Sequence, residues 1–325
     1  MFSRTNLKCV CFLAILMLLS PLCASEYDFS LFESAIYDND LNAIKQLVST
    51  GTDVNASDPD GWTPLMIASS DNSNPNIAKA LIDAGADVNA VDVYGATPLM
   101  YAAANNSNPN VVKALIDAGA DVNATDSYGS TALTYSASDN SNPSVTKALI
   151  DAGADIYVFD ADGWTALMWA ASNNNIGVIK ILIEAGLSVD DVDFYGSTTL
   201  MYAAANNNNP DMIKTLVNAE ANVNAKDFDG CTPLMYAAAN NKNPDVIKAL
   251  VEVGADINAR DNDGWTPLMY AADNNSNPDV IKTLLEAGAN PKVKSAEGKC
   301  AFDYVDKESS LYKTEVYWDL FDASF

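Results

Sequence analysis

Glycine recurs along the chain at a nearly constant interval, and this recurrence constrains the fold more than any other feature. The series is Gly61, Gly95, Gly129, Gly163, Gly196, Gly230, Gly264 and Gly298. Every step is 34 residues except one of 33. A period of this length is typical of repeat proteins, whose units bury their apolar faces only against neighbouring units. The sequence therefore predicts one continuous stack, although 325 residues would suffice for two ordinary domains.

A single unit contains the signals for two short helices. Thr97 and Pro98 are typical of an N-cap and a first helical position, and an Ala-rich stretch follows them. Asn108 and Pro109 repeat this signal, and Gly119 suits the left-handed residue that ends a helix. Each unit is predicted to be a helix, a turn, a second helix and a hairpin-like loop, which makes the fold all-α.

The phrases TPLMYAAA, VVKALIDAGADVNA and DGWTPLM closely resemble the ankyrin repeat. The resemblance covers about residues 50–302. It implies an ankyrin-repeat solenoid of about seven full repeats plus terminal caps. It also implies that the chain binds other proteins through its loop tips and the concave surface formed by the inner helices.

The chain departs from the family pattern after Thr-Pro-Leu, where the family usually has a histidine that ties neighbouring loops together. Methionine stands there in most repeats and threonine in one: Met66, Met100, Thr134, Met168, Met201, Met235 and Met269. We expect the histidine's hydrogen bond to be absent and apolar packing to replace it. The Met–Tyr pairs at 100–101, 201–202, 235–236 and 269–270, with Met168-Trp169, are predicted to belong to the framework.

Two further departures are local. Most repeats carry an extra residue in the inter-helix turn, as at 105–109, whereas repeat 163–195 lacks both the insertion and the proline. We expect a different turn and a change in stacking angle there. Glu220 occupies the helix-ending position that glycine fills in the other central repeats.

Residues 1–24 have the pattern of a secretory signal peptide. Arg4 and Lys8 precede a short apolar run, and small residues follow it. Cleavage is expected after Ala24 or Ser25, and lipidation at Cys23 is the alternative. The chain is therefore predicted to be exported: periplasmic, envelope-associated or secreted.

The remainder, residues 25–325, is predicted to be a single ankyrin-repeat domain. It would consist of an N-terminal cap over 27–57, repeats over 58–297 and a C-terminal cap over 298–325. No membrane span is expected in the mature chain, and we expect a monomer. The two cysteines of the mature chain, Cys231 and Cys300, lie two repeats apart and are predicted to be free.

The charge of the chain limits the class of partner. The sequence has 18 Lys and Arg against 43 Asp and Glu, a net charge of −25. Cleavage at the predicted site leaves 16 basic and 43 acidic residues, a net charge of −27. This balance argues against nucleic acid and against anionic membranes, and it favours a protein partner with a basic surface.

Candidate partner-binding residues stand at the loop tips, where the sequence varies while the framework stays nearly fixed. They are Trp62, Val93, Tyr94, Tyr128, Trp164, Phe194, Tyr195, Phe228 and Trp265. Tyrosine and tryptophan are favoured anchors at protein interfaces. The alternative interpretation is that each aromatic ring packs on the neighbouring loop.

No pattern of residues predicts catalysis, a cofactor or a metal. The chain has no histidine, which excludes histidine-based triads and histidine zinc ligands. Asp-x-Asp-Gly, at 58–61 and three other places, resembles the start of a calcium loop but lacks the downstream glutamate. Turn formation by the aspartate is the simpler interpretation. The leading hypothesis is an exported, non-catalytic protein-binding scaffold. The alternatives are an envelope-anchored structural spacer and a calcium-responsive acidic scaffold.

Overall fold

The computed structural model describes residues 21–306 and 308–324. That part of the chain contains seventeen α-helices, one 3₁₀ helix and no strand, which confirms the all-α prediction. The helices are α1 Pro21–Tyr37, α2 Leu41–Ser49, α3 Pro64–Asp71, α4 Pro75–Asp83, α5 Pro98–Asn105, α6 Pro109–Asp117, α7 Ala132–Ser138, α8 Pro143–Asp151, α9 Ala166–Ser172, α10 Ile176–Glu184, α11 Thr199–Asn206, α12 Pro210–Asn218, α13 Pro233–Asn240, α14 Pro244–Glu252, α15 Pro267–Asn274, α16 Pro278–Glu286, a 3₁₀ helix Ala301–Tyr304 and α17 Glu315–Ser324.

The predicted signal peptide falls mostly outside the described residues, which also exclude the side chain of Cys23. Helix α1 includes the two expected cleavage positions. None of the helices in the described part of the chain is long and apolar enough to cross a bilayer.

Most repeats begin their helices as the sequence predicts. The hydroxyl of Thr97 accepts the N–H of Met100 at the start of α5. The side chain of Asn108 accepts the N–H of Asn110 at the start of α6. Gly119 follows α6 with φ = +94°, a conformation that costs other L-residues a steric clash. Local side-chain chemistry therefore sets the helix boundaries.

Methionine does more than pack at the histidine position. The side chain of Met100 is 2% exposed, so the predicted apolar packing is present. Its sulfur also accepts the N–H of Thr97 at 3.4 Å. The expectation that packing alone would replace the histidine was therefore incomplete, because a thioether is also a weak acceptor. Neighbouring loops are tied by their backbones, as where Val93 N–H donates to Asp60 O at 3.0 Å.

Contacts group the chain into two compact units, with the boundary between Asp155 and Ile156. In the first unit, α3, α5 and α7 pack side by side, as do α4, α6 and α8. In the second unit the same arrangement relates α11, α13 and α15, and likewise α12, α14 and α16. Each unit is thus a stack of helix pairs around its own buried core. The predicted single domain over residues 25–325 stays a prediction.

The extra residue in the inter-helix turns is a buried asparagine that links repeats. The amide of Asn106 donates to Ser69 O at 2.9 Å and to Asn72 O at 3.0 Å in the preceding repeat. Asn140, Asn241 and Asn275 make the same pair of bonds to their preceding repeats. These asparagines form an amide ladder within each unit, which gives the insertion a structural reason.

Repeat 163–195 has the different turn that the sequence predicts. Helix α9 ends at Ser172 and α10 begins at Ile176, with Asn175 as its N-cap. Asn174 between them has φ = +61°. Asn39, in the short turn between α1 and α2, has a similar φ of +51°. The predicted change in stacking angle stays a prediction.

Candidate protein-binding surface

An aspartate fixes each loop tip from inside. One oxygen of Asp92 accepts the N–H groups of Tyr94 and Ala96, both at 2.8 Å. The carboxylate of Asp92 is only 6% exposed, and Gly95 takes a positive φ that lets the chain reverse. The same bonds recur at Asp58, Asp126, Asp160, Asp193, Asp227 and Asp261. The loop tips are therefore held in fixed conformations.

At six of these seven aspartates the other oxygen accepts a bond from the first helix of the same repeat. The exception is Asp58, whose repeat has Ile67 at the donor position. Tyr101 Oη donates to Asp92 at 2.5 Å, Tyr135 Oη to Asp126 at 2.7 Å, and Trp169 Nε1 to Asp160 at 2.8 Å. These bonds support the turn interpretation of Asp-x-Asp-Gly over the calcium interpretation, because both oxygens of the first carboxylate are engaged in three of the four such loops. Among the described residues, no three Cys, Asp or Glu side chains converge as a metal site.

Burial raises the pKa of Tyr101 and Tyr135, and the bonded aspartates raise these pKa values further. The phenols therefore remain protonated at neutral pH and keep donating to the carboxylates. The tyrosines that follow the methionines serve the framework, as predicted.

The three predicted tryptophans pack inside the framework. Trp62 lies 4.3 Å from the ring centroid of Tyr101 in the next repeat, Trp164 lies 4.0 Å from Tyr202, and Trp265 lies 4.2 Å from Tyr304. All three are half-buried. Each ring therefore packs on a helix of the next repeat, whereas the loop-packing alternative placed it on the neighbouring loop. Their predicted role in partner binding stays a prediction.

The other six predicted residues point outward from the hairpins. They are Val93, Tyr94, Tyr128, Phe194, Tyr195 and Phe228, with exposures between 56% and 71%. The rings of Phe194 and Phe228 lie along the preceding loops, against Gly163 and Gly196 respectively. The approach is so close that a Cβ added to Gly163 would lie 2.9 Å from the ring of Phe194, and one added to Gly196 would lie 2.7 Å from the ring of Phe228. Exposed aromatic side chains on a fixed backbone are suited to anchor a partner at low conformational cost.

Tyr157 and Phe159 are exposed aromatic residues outside the predicted set of binding residues. They stand where other repeats have Asn-Ala-x, as in 123–125. The asparagine normally bridges repeats: Asn123 accepts Asp155 N–H at 2.8 Å and donates to Gly153 O at 3.3 Å. Aromatic residues at a bridging framework position were the signal that could have identified them.

A groove opens beside the exposed tyrosines of the first unit, with a volume of about 390 Å³. Its lining residues are Asp92, Tyr94, Ala96, Met100, Tyr101, Ala104, Asn105, Tyr128, Tyr135 and Asp139. The second unit has a groove at the equivalent place, of about 410 Å³, lined by Asp261, Asp263, Trp265, Tyr270, Asp273, Asn274, Ala296 and Glu297. Neither groove has a basic residue in its lining.

The family model for ankyrin repeats, in three-copy form, matches residues 31–126, 103–193, 133–227 and 200–295. These matches together cover most of the chain. The chain belongs to the ankyrin repeat family. Ankyrin repeats mediate protein–protein binding, and ankyrin-repeat proteins are typically non-catalytic scaffolds. No curated protein matches this ankyrin chain.

Proposed function

We propose that the chain is an exported, non-catalytic scaffold that binds another protein through its hairpin tips and the adjoining face of the first helices. The observation that carries this proposal is the set of exposed aromatic tips on hairpins held by buried aspartates. Family membership supports protein binding in general. The tips and grooves supply a specific surface for it.

The partner is a protein with a basic surface. The net charge is −25, and the two grooves are lined by carboxylates, aromatic rings and amides without a Lys or Arg. Long-range attraction of this kind speeds association and is screened by salt. Association with the partner should slow as salt rises. An acidic partner whose association rate does not change with salt concentration would refute this part of the proposal.

The exposed tyrosines carry the affinity. Tyr94→Ala, Tyr128→Ala and Tyr195→Ala should each weaken binding about 10-fold or more, because a large interface anchor is worth roughly 2 kcal/mol. The experiment is affinity capture from the native envelope, followed by titration of the captured protein with each variant. The melting temperature should change little.

Trp62→Ala is the matched comparison for these tyrosines. It removes a ring that packs on Tyr101, so its main effect should be a lower melting temperature. If the three tyrosine variants melt as low as Trp62→Ala, the exposed rings serve loop packing and the proposed surface is wrong.

Export rests on the N-terminal sequence, and its alternative is an envelope-anchored spacer lipidated at Cys23. Mass spectrometry of the mature N-terminus separates cleavage after Ala24 or Ser25 from a lipid on Cys23. The calcium-responsive alternative is less favoured, since in three of the four Asp-x-Asp-Gly loops both oxygens of the first carboxylate already accept backbone and ring-donor bonds. Equal melting temperatures in calcium and in chelator would eliminate it.

A further inference from the structure

The residue that follows each loop glycine lies near an aromatic ring of the next repeat. Trp62, Trp164 and Trp265 do so with their own rings. Ser197 and Cys231 instead place a polar atom 3.1 Å from the hydroxyls of Tyr236 and Tyr270. Ala96 offers only a methyl group. At all six of these positions the following repeat belongs to the same unit. Ala96 is the one residue of the six that brings neither a ring nor a polar side-chain atom to the tyrosine of the following repeat.

Ala96 lines the groove of the first unit together with four tyrosines. Tyr101 and Tyr135 line it from the helices, and Tyr94 and Tyr128 line it from the hairpins. The hydroxyls of Tyr101 and Tyr135 are taken up by buried carboxylates. These two side chains therefore offer a ligand mainly ring surface, which attracts cations through its quadrupole.

The polar groups in the groove add acceptors. Asp139 is exposed and brings a carboxylate into the lining. Asn105 donates its amide to Ser70 Oγ at 3.1 Å, which leaves its carbonyl oxygen to accept. Rings, a carboxylate and a carbonyl suit a flat cation with several donors. Arginine fits this description better than lysine, because its guanidinium stacks on rings and donates in a planar fork.

We propose that this groove is the anchor pocket of the scaffold and takes an arginine side chain from a basic segment of the partner protein. The inference rests on the proposed function for its partner, and it names the chemistry of that partner's central contact. The equivalent groove of the second unit has a similar volume but a different lining: Trp265 stands where the first unit has Ala96, and Asp263 and Glu297 stand where it has Tyr94 and Tyr128.

The test is to cover the ring of Tyr135 with a tryptophan, as Trp62 covers the ring of Tyr101. Ala96→Trp places in the groove a residue that the equivalent positions Trp62, Trp164 and Trp265 accommodate, so the full-length variant should fold. The probe is an acetylated hexa-arginine peptide, titrated calorimetrically at about 150 mM salt, where distant charges are largely screened. We expect Ala96→Trp to weaken binding at least 10-fold. Ser197→Trp, the same change at an equivalent position of the second unit, should alter binding less than 2-fold.

Three more titrations distinguish arginine recognition from general charge attraction and from misfolding of the variant. Asp139→Asn keeps the shape of the groove and removes its exposed charge, so it should weaken binding about 3-fold even if Ala96→Trp fails to fold. A hexa-citrulline peptide, which is the neutral isostere, should not bind measurably. A hexa-lysine peptide should bind at least 5-fold more weakly than hexa-arginine.

Specific results would overturn the proposal. Equal binding by wild type, Ala96→Trp and Ser197→Trp would mean that the groove does not hold the peptide. Equal binding of hexa-lysine would mean that charge alone attracts it. Failure of the proposed function has a separate signature: wild type binds hexa-arginine in an Ala96-dependent manner, yet captures no protein from the envelope.

Discussion

At the scale of single residues, Glu220 shows the clearest conflict between residue type and backbone. It has φ = +73° at a position where other repeats have glycine, and its N–H bonds to Val217 O at 2.9 Å. The side chain is exposed. The left-handed conformation predicted for this helix end is thus retained despite the Cβ, because the surrounding repeat dictates it.

Glu220→Gly should stabilise the protein by roughly 0.5 kcal/mol. Removal of the Cβ relieves a clash worth about 1 kcal/mol, and greater freedom of the unfolded chain offsets part of this gain. Urea denaturation measures the change. Gly254→Glu, the reverse substitution in the next repeat, is the control and should destabilise by a similar amount. A loss of stability in Glu220→Gly would show that Glu220 makes a specific contact.

Cys231 illustrates how burial controls a thiol. Both Cys231 and Cys300 are free, as the repeat spacing predicts. Burial raises the pKa of Cys231 to about 11, although the bond with Tyr270 opposes the rise, and Asp227 adds to it. Because the thiolate is the reactive form, this thiol should be a poor nucleophile near neutral pH.

Iodoacetamide should alkylate Cys231 very slowly at pH 8, where only about one thousandth of a thiol with such a pKa is ionised. The rate should rise steeply as the pH approaches 11. Site-resolved mass spectrometry follows the reaction, and the same chain in urea provides the reference rate. Alkylation at pH 8 as fast in the folded as in the unfolded chain would contradict the assigned burial.

At the scale of elements, the inter-helix turns link repeats through the amide ladder. The side-chain amide of Asn106 donates to two backbone carbonyls of the preceding repeat. The backbone carbonyl of Asn106 in turn accepts the side-chain amide of Asn140 from the next repeat. The short turns at Asn39 and Asn174 differ: their side-chain oxygens accept amides from Asn74 at 2.9 Å and Asn209 at 3.3 Å. The turn sequence thus decides which repeats join the ladder.

Asn106→Ala should destabilise the protein by about 2 kcal/mol, because it removes buried hydrogen bonds and leaves carbonyls without their partner. Asn240→Ala is the control: this exposed asparagine bonds only to Tyr236 O within its own helix, and its loss should cost less than about 0.5 kcal/mol. Amide exchange of residues 69–78 should quicken in Asn106→Ala alone. Equal losses of stability in the two variants would mean that the ladder contributes nothing of its own.

At the scale of the whole molecule, charge is poorly balanced. The net charge is −25, and the described part of the chain holds four ion pairs, all between exposed side chains. Exposed pairs contribute little to stability. The excess carboxylates therefore repel one another in the folded state, and a basic partner would reduce that repulsion.

The melting temperature should rise as sodium chloride is increased from about 20 to about 200 mM, because salt screens repulsion among surface carboxylates. Scanning calorimetry measures the shift, and potassium chloride should reproduce it. A fall in melting temperature would contradict the argument. A rise confined to calcium chloride would instead favour the calcium-responsive alternative.

The sequence alone determined the repeat architecture. Thr-Pro and Asn-Pro predicted where helices start, and glycine predicted where they end. The missing residue in repeat 163–195 predicted the different inter-helix turn found there. These features follow from side chains acting on their own backbone within a few residues, which a sequence displays directly. The sequence also indicated the candidate residues at the loop tips. It did not show which of them are packed tryptophans and which are exposed tyrosines.

Only the tertiary structure decided what each side chain meets in the next repeat. The ladder asparagines, the ring that Trp62 packs on and the groove lined by Ala96 and Tyr135 involve partners between 34 and 39 residues away. Which carbonyl or ring lies opposite a side chain depends on how helices stack, and stacking depends on packing across repeats rather than on local preference. The sequence therefore determined the structure of the single repeat, while the stacking of repeats determined which side chains form the candidate binding surface.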